Sequence, residues 1–226
     1  MENQTVQHKV VENKTAQRKR YSTAYLSKVF LWFYCPSLYI HRSHVDSKIP
    51  YKIFHRLLDG DGLAQRNHFR LSKVFAAKDP DSLDIKTDLW SFVTMSNYHL
   101  DYVIRMVAAL EVGRRIRVTI SKSEINHLRK IFGNDVIGFV CRRYAGFYDG
   151  GSRWKEADFS EFNETLVSRL GWAFLYHART VLPPNMLSIW LMRLPKTVDL
   201  TCIDSRPSSE EAFRLCVSLF EEVSNV

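Results

Sequence analysis

The chain has 226 residues, enough for one domain with an appendage and enough to bury a substantial core. Apolar residues make up 46%, charged residues 25%, and there are only 9 Gly and 7 Pro, which excludes a collagen-like or linker-dominated chain. With 32 Lys and Arg against 24 Asp and Glu the net charge is +8, a balance that favours an anionic partner without identifying one.

The charge is graded along the chain. Residues 1–70 carry 12 basic and 5 acidic side chains, residues 71–196 carry 18 and 13, and residues 197–226 carry 2 and 6. The front is basic and the tail acidic. From Met1 to Arg20 the strong hydrophobes are Val6, Val10 and Val11, too few to offset ordering entropy by burial. Residues 1–21 therefore read as a disordered basic leader, and residues 22–226 as the folded domain. The run Arg18-Lys19-Arg20 suits a solvated tail better than a dedicated binding site.

Cys35, Cys141, Cys202 and Cys216 include no C-x-x-C pair and form neither a disulfide framework nor a zinc pattern, so a reducing cytoplasm is expected. The longest apolar run, Val29–Cys35, has seven residues where a bilayer span needs about 20. It is followed by no cleavage signal. A soluble cytoplasmic protein is predicted.

In chain order, the first predicted element is an apolar segment at Trp32–His41, entered through Pro36 at a helical N-terminus. Tyr102, Val103, Met106, Val107 and Leu110 lie at helical spacing and stop at Gly113. Arg117-Val-Thr-Ile120 reads as a short strand on propensity alone. Ser121-Lys-Ser-Glu124 has capping-box spacing and leads into Ile125, Leu128, Ile131 and Phe132, with Gly133 as terminator. Asn134 is positioned to cap a helix carrying Val136, Ile137, Phe139 and Val140 and ending near Gly146. A long helix is predicted from about Ser160 to Val181, with Leu166, Leu170, Phe174 and His177 on one side and Pro183-Pro184 as its break. Asn185–Leu194 is apolar nearly all round and fits either a buried helix or a strand. A second capping box, Ser208-Ser-Glu-Glu211, opens an acidic helix striped by Phe213, Cys216, Leu219, Phe220 and Val223. Lys78–Asp84 and Tyr148–Ser152 read as surface connections. One short strand makes no sheet, so the expected fold class is all-α, a single irregular helical domain.

Chemical motifs are sparse. His41-Arg-Ser-His44 has H-x-x-H spacing, but neither a glutamate nor further ligands lie nearby to complete a zinc site. Asp59-Gly-Asp-Gly62 resembles the start of a calcium loop, yet the twelfth position is Arg70 where an EF-hand needs glutamate. Nucleotide-binding glycine loops and the G-x-S-x-G elbow do not occur. Cys35 reads as a small hydrophobe in an aromatic cluster, not as a nucleophile. Arg114-Arg-Ile-Arg117 and Arg142-Arg143 suit phosphate or the C-terminal ends of helices. No base-reading element accompanies them, so nucleic acid is the minority reading. Neither a catalytic residue, a cofactor site, a metal site nor a small-molecule substrate is expected.

Phe33-x-Cys35-Pro36-x-x-Tyr39-Ile40-His41 resembles the N-terminal signature of the SctK family of type III secretion proteins, the YscK, PscK and OrgA group. Leu170-Gly-Trp-Ala-Phe174, followed by Leu187-Ser-Ile-Trp-Leu-Met-Arg-Leu-Pro195, is similar to that family's glycine-containing helix and closing segment. Val103–Gly113 aligns with its central helix. The resemblance covers roughly Leu31–Pro195; the leader Met1–Arg20 and the charged segment Arg66–Asp88 lie outside it. It implies a helical adaptor without enzymatic activity. Such an adaptor links the SctQ-like pod protein to the cytoplasmic domain of the SctD-like inner-membrane ring protein, at the cytoplasmic face of that membrane, and touches the membrane peripherally at most. Candidate interaction or motif residues are Trp32, Phe33, Tyr34, Cys35, Pro36, Tyr39, His41 and Trp190. Interface hot spots favour Trp and Tyr, and the competing reading of each aromatic is a core residue. A basic helical nucleic-acid-binding protein is the alternative function.

Overall fold

The computed structural model describes residues 38–45, 49–58, 92–143, 157–203 and 207–224, together with Asn67, Leu89 and Trp154. Outside the described residues lie the leader 1–21, the motif residues Trp32, Phe33, Tyr34, Cys35 and Pro36, the Asp59–Gly62 turn, most of the segment 66–88 and the Tyr148–Ser152 loop. Helix accounts for 78% of the described residues and no strand occurs among them, so the fold is all-α. Among the described residues no helix is long and apolar enough to cross a membrane.

Among the described residues nine α-helices follow in order: α1 (Arg42–Val45), α2 (Tyr51–Leu58), α3 (Asn97–Glu111), α4 (Gly113–Val118), α5 (Lys122–Phe132), α6 (Asn134–Arg143), α7 (Glu164–His177), α8 (Pro184–Arg193) and α9 (Ser209–Ser224). Short 3-10 turns at Phe159–Glu161, Ala178–Val181 and Leu200–Cys202 join them.

Helix α3 is the centre. Ser96 caps it by accepting from the His99 N–H. Val103, Ile104 and every residue from Met106 to Glu111 are buried, so α3 is covered nearly all round and not along one stripe. Gly113 does not terminate it. The break falls at Val112, whose N–H reaches the Ala108 and Leu110 carbonyls, and Gly113 opens α4. The predicted strand is also corrected: Arg117 and Val118 close α4, and Thr119 turns extended to begin the connection to α5. β-Branched residues favour strands where a neighbouring strand offers a ladder, and no strand occurs among the described residues.

The two predicted capping boxes differ. At α9 both reciprocal bonds form: Glu211 N–H donates to Ser208 Oγ at 3.2 Å, and Ser208 N–H to Glu211 Oε2 at 2.8 Å. At α5, Ser121 occupies the cap position but its hydroxyl pairs with Ser123 Oγ at 2.8 Å and caps no amide. Gly133 ends α5 at φ +100°, a conformation that favours glycine. Its carbonyl accepts from Ile137 N–H, so Gly133, and not Asn134, is the residue that leads into α6.

The long helix expected over 160–181 is three pieces. Asn163, at φ −145°, restarts the chain after the Phe159–Glu161 turn and caps α7 by accepting from Leu166 N–H at 2.9 Å. The 3-10 turn Ala178–Val181 follows. Pro184 then opens α8 at its first helical position, which resolves the apolar stretch 185–194 as helix.

Helices α3 and α7 make the tightest crossing. A Cβ on Gly171 would stand 2.5 Å from Ile104 Cγ2 and 2.7 Å from the Ile104 carbonyl oxygen, so only glycine admits this approach. Helix α9 packs on α3, α7 and the Ala178–Val181 turn, burying Ala212, Leu215, Cys216 and Leu219. Helices α4, α5 and α6 pack together against α3. Val45 and Phe54 form a separate small cluster with Ile40, Ile49 and Met192.

Candidate functional site

The two sequence signatures meet in space. Tyr39–His44 lies along the end of α8 and the residues beyond it, 150 positions later in the chain. His41 N–H donates to the Met192 carbonyl at 2.8 Å, His44 Nε2 pairs with the Leu194 carbonyl at 2.9 Å, and Lys196 N–H donates to Ser43 Oγ at 2.8 Å. One of these bonds, His41 to Met192, joins the N-terminal motif to the closing Leu-Met-Arg-Leu-Pro segment. The other two are made by residues that follow the motif, His44 to Leu194 within that segment and Ser43 to Lys196 just beyond it.

His41 also serves its own helix. Its Nδ1 accepts from Ser43 N–H at 3.2 Å and lies 2.9 Å from Ser43 Oγ, so the imidazole caps α1. Accepting that amide bond requires an unprotonated Nδ1. Burial, followed by the neighbouring His44, pushes the His41 pKa below its ordinary value, which favours the same neutral form. The ring meets Trp172 of α7 edge-on at 5.5 Å. Both members of the H-x-x-H spacing are thus engaged in joining segments. Among the described residues no group of three or more His, Cys, Asp or Glu side chains is arranged to hold a metal ion.

Beneath this seam lies Arg193, 1% exposed. Its guanidinium donates to the Val93 carbonyl at 2.7 Å, the Met95 carbonyl at 2.9 Å and Asn97 Oδ1 at 3.2 Å. Those acceptors satisfy the segment that enters α3, so one fork fixes the start of α3 to the end of α8. The Tyr39 ring stands 5.2 Å from the guanidinium carbon and the Trp190 ring 5.6 Å from it. Burial lowers the Arg193 pKa to about 10, against which Tyr39 acts, so the group is a cation at neutral pH. Sequence reading did not single out Arg193 as a site residue. The available signal was a lone arginine within an otherwise apolar helix, a residue that is almost never fully buried unless paired.

The candidate residues divide accordingly. Tyr39 and His41 are half-buried in the seam; Trp190 is fully buried against Phe92, with ring centroids 4.5 Å apart. Trp190 is therefore a core residue, in line with the competing reading of the aromatics. Trp32, Phe33, Tyr34, Cys35 and Pro36 fall outside the described residues.

Charge is also sorted by place. Arg117, Lys122, Arg129, Lys130 and Arg142 are exposed on α4, α5 and α6 together with Asp135, whereas Glu210, Glu211 and Glu221 are exposed on α9 together with Arg214. Asp199 is held at about 2 by hydrogen bonds from Thr201 and Arg169, which ties the Leu200–Cys202 turn to α7. Comparison of the chain with family models, with curated proteins and with solved structures gave no match in any of the three.

Proposed function

We propose that this chain is a non-enzymatic adaptor of the SctK kind, joining an SctQ-like pod protein to the cytoplasmic domain of an SctD-like ring protein at the inner membrane. The observation that carries the reading is the seam itself. The described end of the first motif, Tyr39-Ile40-His41, meets the closing segment Leu187–Pro195 through the His41–Met192 hydrogen bond and the Tyr39 ring over Arg193, although the two are about 150 residues apart. That contact supports a shared structural role for the two stretches.

The all-α architecture agrees with the same reading, and the segregation of charge supports a two-sided binder. Exposed charged side chains on α4–α6 are mostly basic, with Asp135 the acidic exception, and those on α9 mostly acidic, with Arg214 the basic exception. Such complementarity sets encounter rate and partner choice more than affinity. Co-purification of the full chain with the two partners at moderate salt tests the proposal. Binding of both supports it, and failure of both, with the chain helical by circular dichroism, rejects it.

A further inference from the structure

Ile120 is the most exposed large apolar side chain among the described residues, 92% accessible, with Val118 at 56% beside it. Both belong to the stretch whose β-branched composition reads as a strand. The connection from α4 to α5 is pinned on each side of Ile120. Thr119 donates from its N–H to the Ile116 carbonyl and from its hydroxyl to the Arg115 carbonyl, while the Ser121 carbonyl accepts from Ile125 N–H. Ile120 is therefore held outward by a bonded corner. The adjoining helices turn other side chains inward, Ile116 at 4% and Leu128 at 1% exposure.

A single exposed isoleucine requires no explanation by itself; its surroundings do. Arg117 and Lys122 are exposed on either side of it in the chain; further along α5 and α6, Arg129, Lys130 and Arg142 are exposed, with Asp135 the one exposed acid on α6. From Gly113 to Lys130 the chain carries six basic side chains and one acidic, Glu124. The corner sets two exposed apolar side chains between the exposed cations Arg117 and Lys122. That arrangement combines the two signals that hold a protein at an anionic bilayer, apolar insertion and attraction to headgroup phosphates. Nucleic acid would use the cations but has no use for the apolar pair.

We propose that the Arg117–Lys122 corner is a peripheral docking site for an anionic lipid surface. Ile120 and Val118 enter the headgroup boundary, and Arg117 and Lys122 lay their aliphatic stems along it with their charges at lipid phosphates. This goes beyond the adaptor reading and stands whether or not the chain joins pod to ring.

The test is co-sedimentation of the full chain with vesicles of phosphatidylcholine alone and with a quarter of phosphatidylglycerol. Binding is expected to the mixed vesicles only and to weaken with salt. Ile120→Asp is expected to reduce the partition coefficient about tenfold or more. Arg117→Gln with Lys122→Gln should reduce it about 25-fold, at roughly fivefold per cation. Both sites are exposed, and circular dichroism checks that each variant is folded. Vesicle binding that is absent, or unchanged in the Ile120→Asp chain, overturns the proposal, the second result assigning binding to the basic leader. Retention of a DNA duplex that ignores Ile120→Asp but falls with the double Gln variant, without vesicle binding, overturns it in favour of nucleic acid.

Discussion

The backbone N–H of His41 donates to the carbonyl of Met192 across 2.8 Å, and the next residue, Arg193, carries the buried fork. The end of α8 thus holds two other parts of the chain at once: the Tyr39–His44 segment through its main chain, and the entry to α3 through a side chain. The consequences for Arg193 are direct. Arg193→Met leaves the Val93 and Met95 carbonyls without their donor in a dry site, and Arg193→Lys cannot reproduce the fork. Both variants are expected to lose about 2–4 kcal/mol of unfolding free energy in urea. A loss of less than about 0.5 kcal/mol, the ordinary range for surface substitutions, would show that the fork is not a structural tie.

His41 makes the seam sensitive to acid. Its pKa in the fold lies below the ordinary 6.5, so the undocked segment binds a proton more readily than the docked one. The docking stability is therefore complete above that value and declines as pH falls below 6.5 toward the folded pKa. Trp172 fluorescence, reporting the edge-on imidazole, should change between pH 7.5 and 5.5. His41→Asn keeps a capping acceptor and should abolish the change. A His41 titration by NMR at or above 6.5 contradicts this account.

Two glycines in helices should respond in opposite directions to the same substitution. Gly171→Ala puts a methyl group into the Ile104 backbone and is expected to cost about 1–3 kcal/mol, a fall in Tm of about 2–12 °C. At Gly138 the nearest atom to an added Cβ is Arg142 Nη2 at 3.6 Å, the end of a flexible side chain. Gly138→Ala should leave Tm unchanged or raise it, since alanine is favoured in helices by up to about 1 kcal/mol. Equal effects at the two positions would mean that the α3–α7 crossing is not the close one described.

Local signals were legible where a few neighbouring residues decide the outcome. Ser208 with Glu211, Gly133 at its positive φ and the break at Pro183-Pro184 were readable because each acts within one turn. Pro184 as the start of α8 was not, since length and apolarity left 185–194 as helix or strand. Position alone was readable at Ser121, where the cap residue is right and the bond is not, since Ser123 competes for the hydroxyl. The all-round burial of α3 was hidden because a stripe calculation sees one face, whereas α3 is covered by α7, α9 and the α4–α6 layer together. Arg193 was hidden for a different reason: its acceptors at Val93 and Met95 are about a hundred residues away, and nothing local announces them. The strand expected at Arg117–Ile120 failed because propensity reports side-chain shape and not the presence of a partner strand.

The contrast between the two serine caps is measurable. Ser208→Ala removes an acceptor that α9 uses and should lower Tm by about 2–4 °C, the equivalent of the roughly 1 kcal/mol that a serine cap contributes. Ser121→Ala removes a hydroxyl that accepts from no helix amide, so its effect should be markedly smaller. Thermal unfolding followed at 222 nm distinguishes them. A larger loss at Ser121 than at Ser208 would contradict the bonding described.

The proposed adaptor role is tested most directly by mixing the folded full-length chain with an SctQ-like pod protein and the cytoplasmic domain of an SctD-like ring protein, then measuring co-elution by size-exclusion chromatography at moderate salt. The account predicts a ternary complex in which this chain is required to bring the other two together. Pod and ring proteins that both elute apart from a chain still helical by circular dichroism would contradict it.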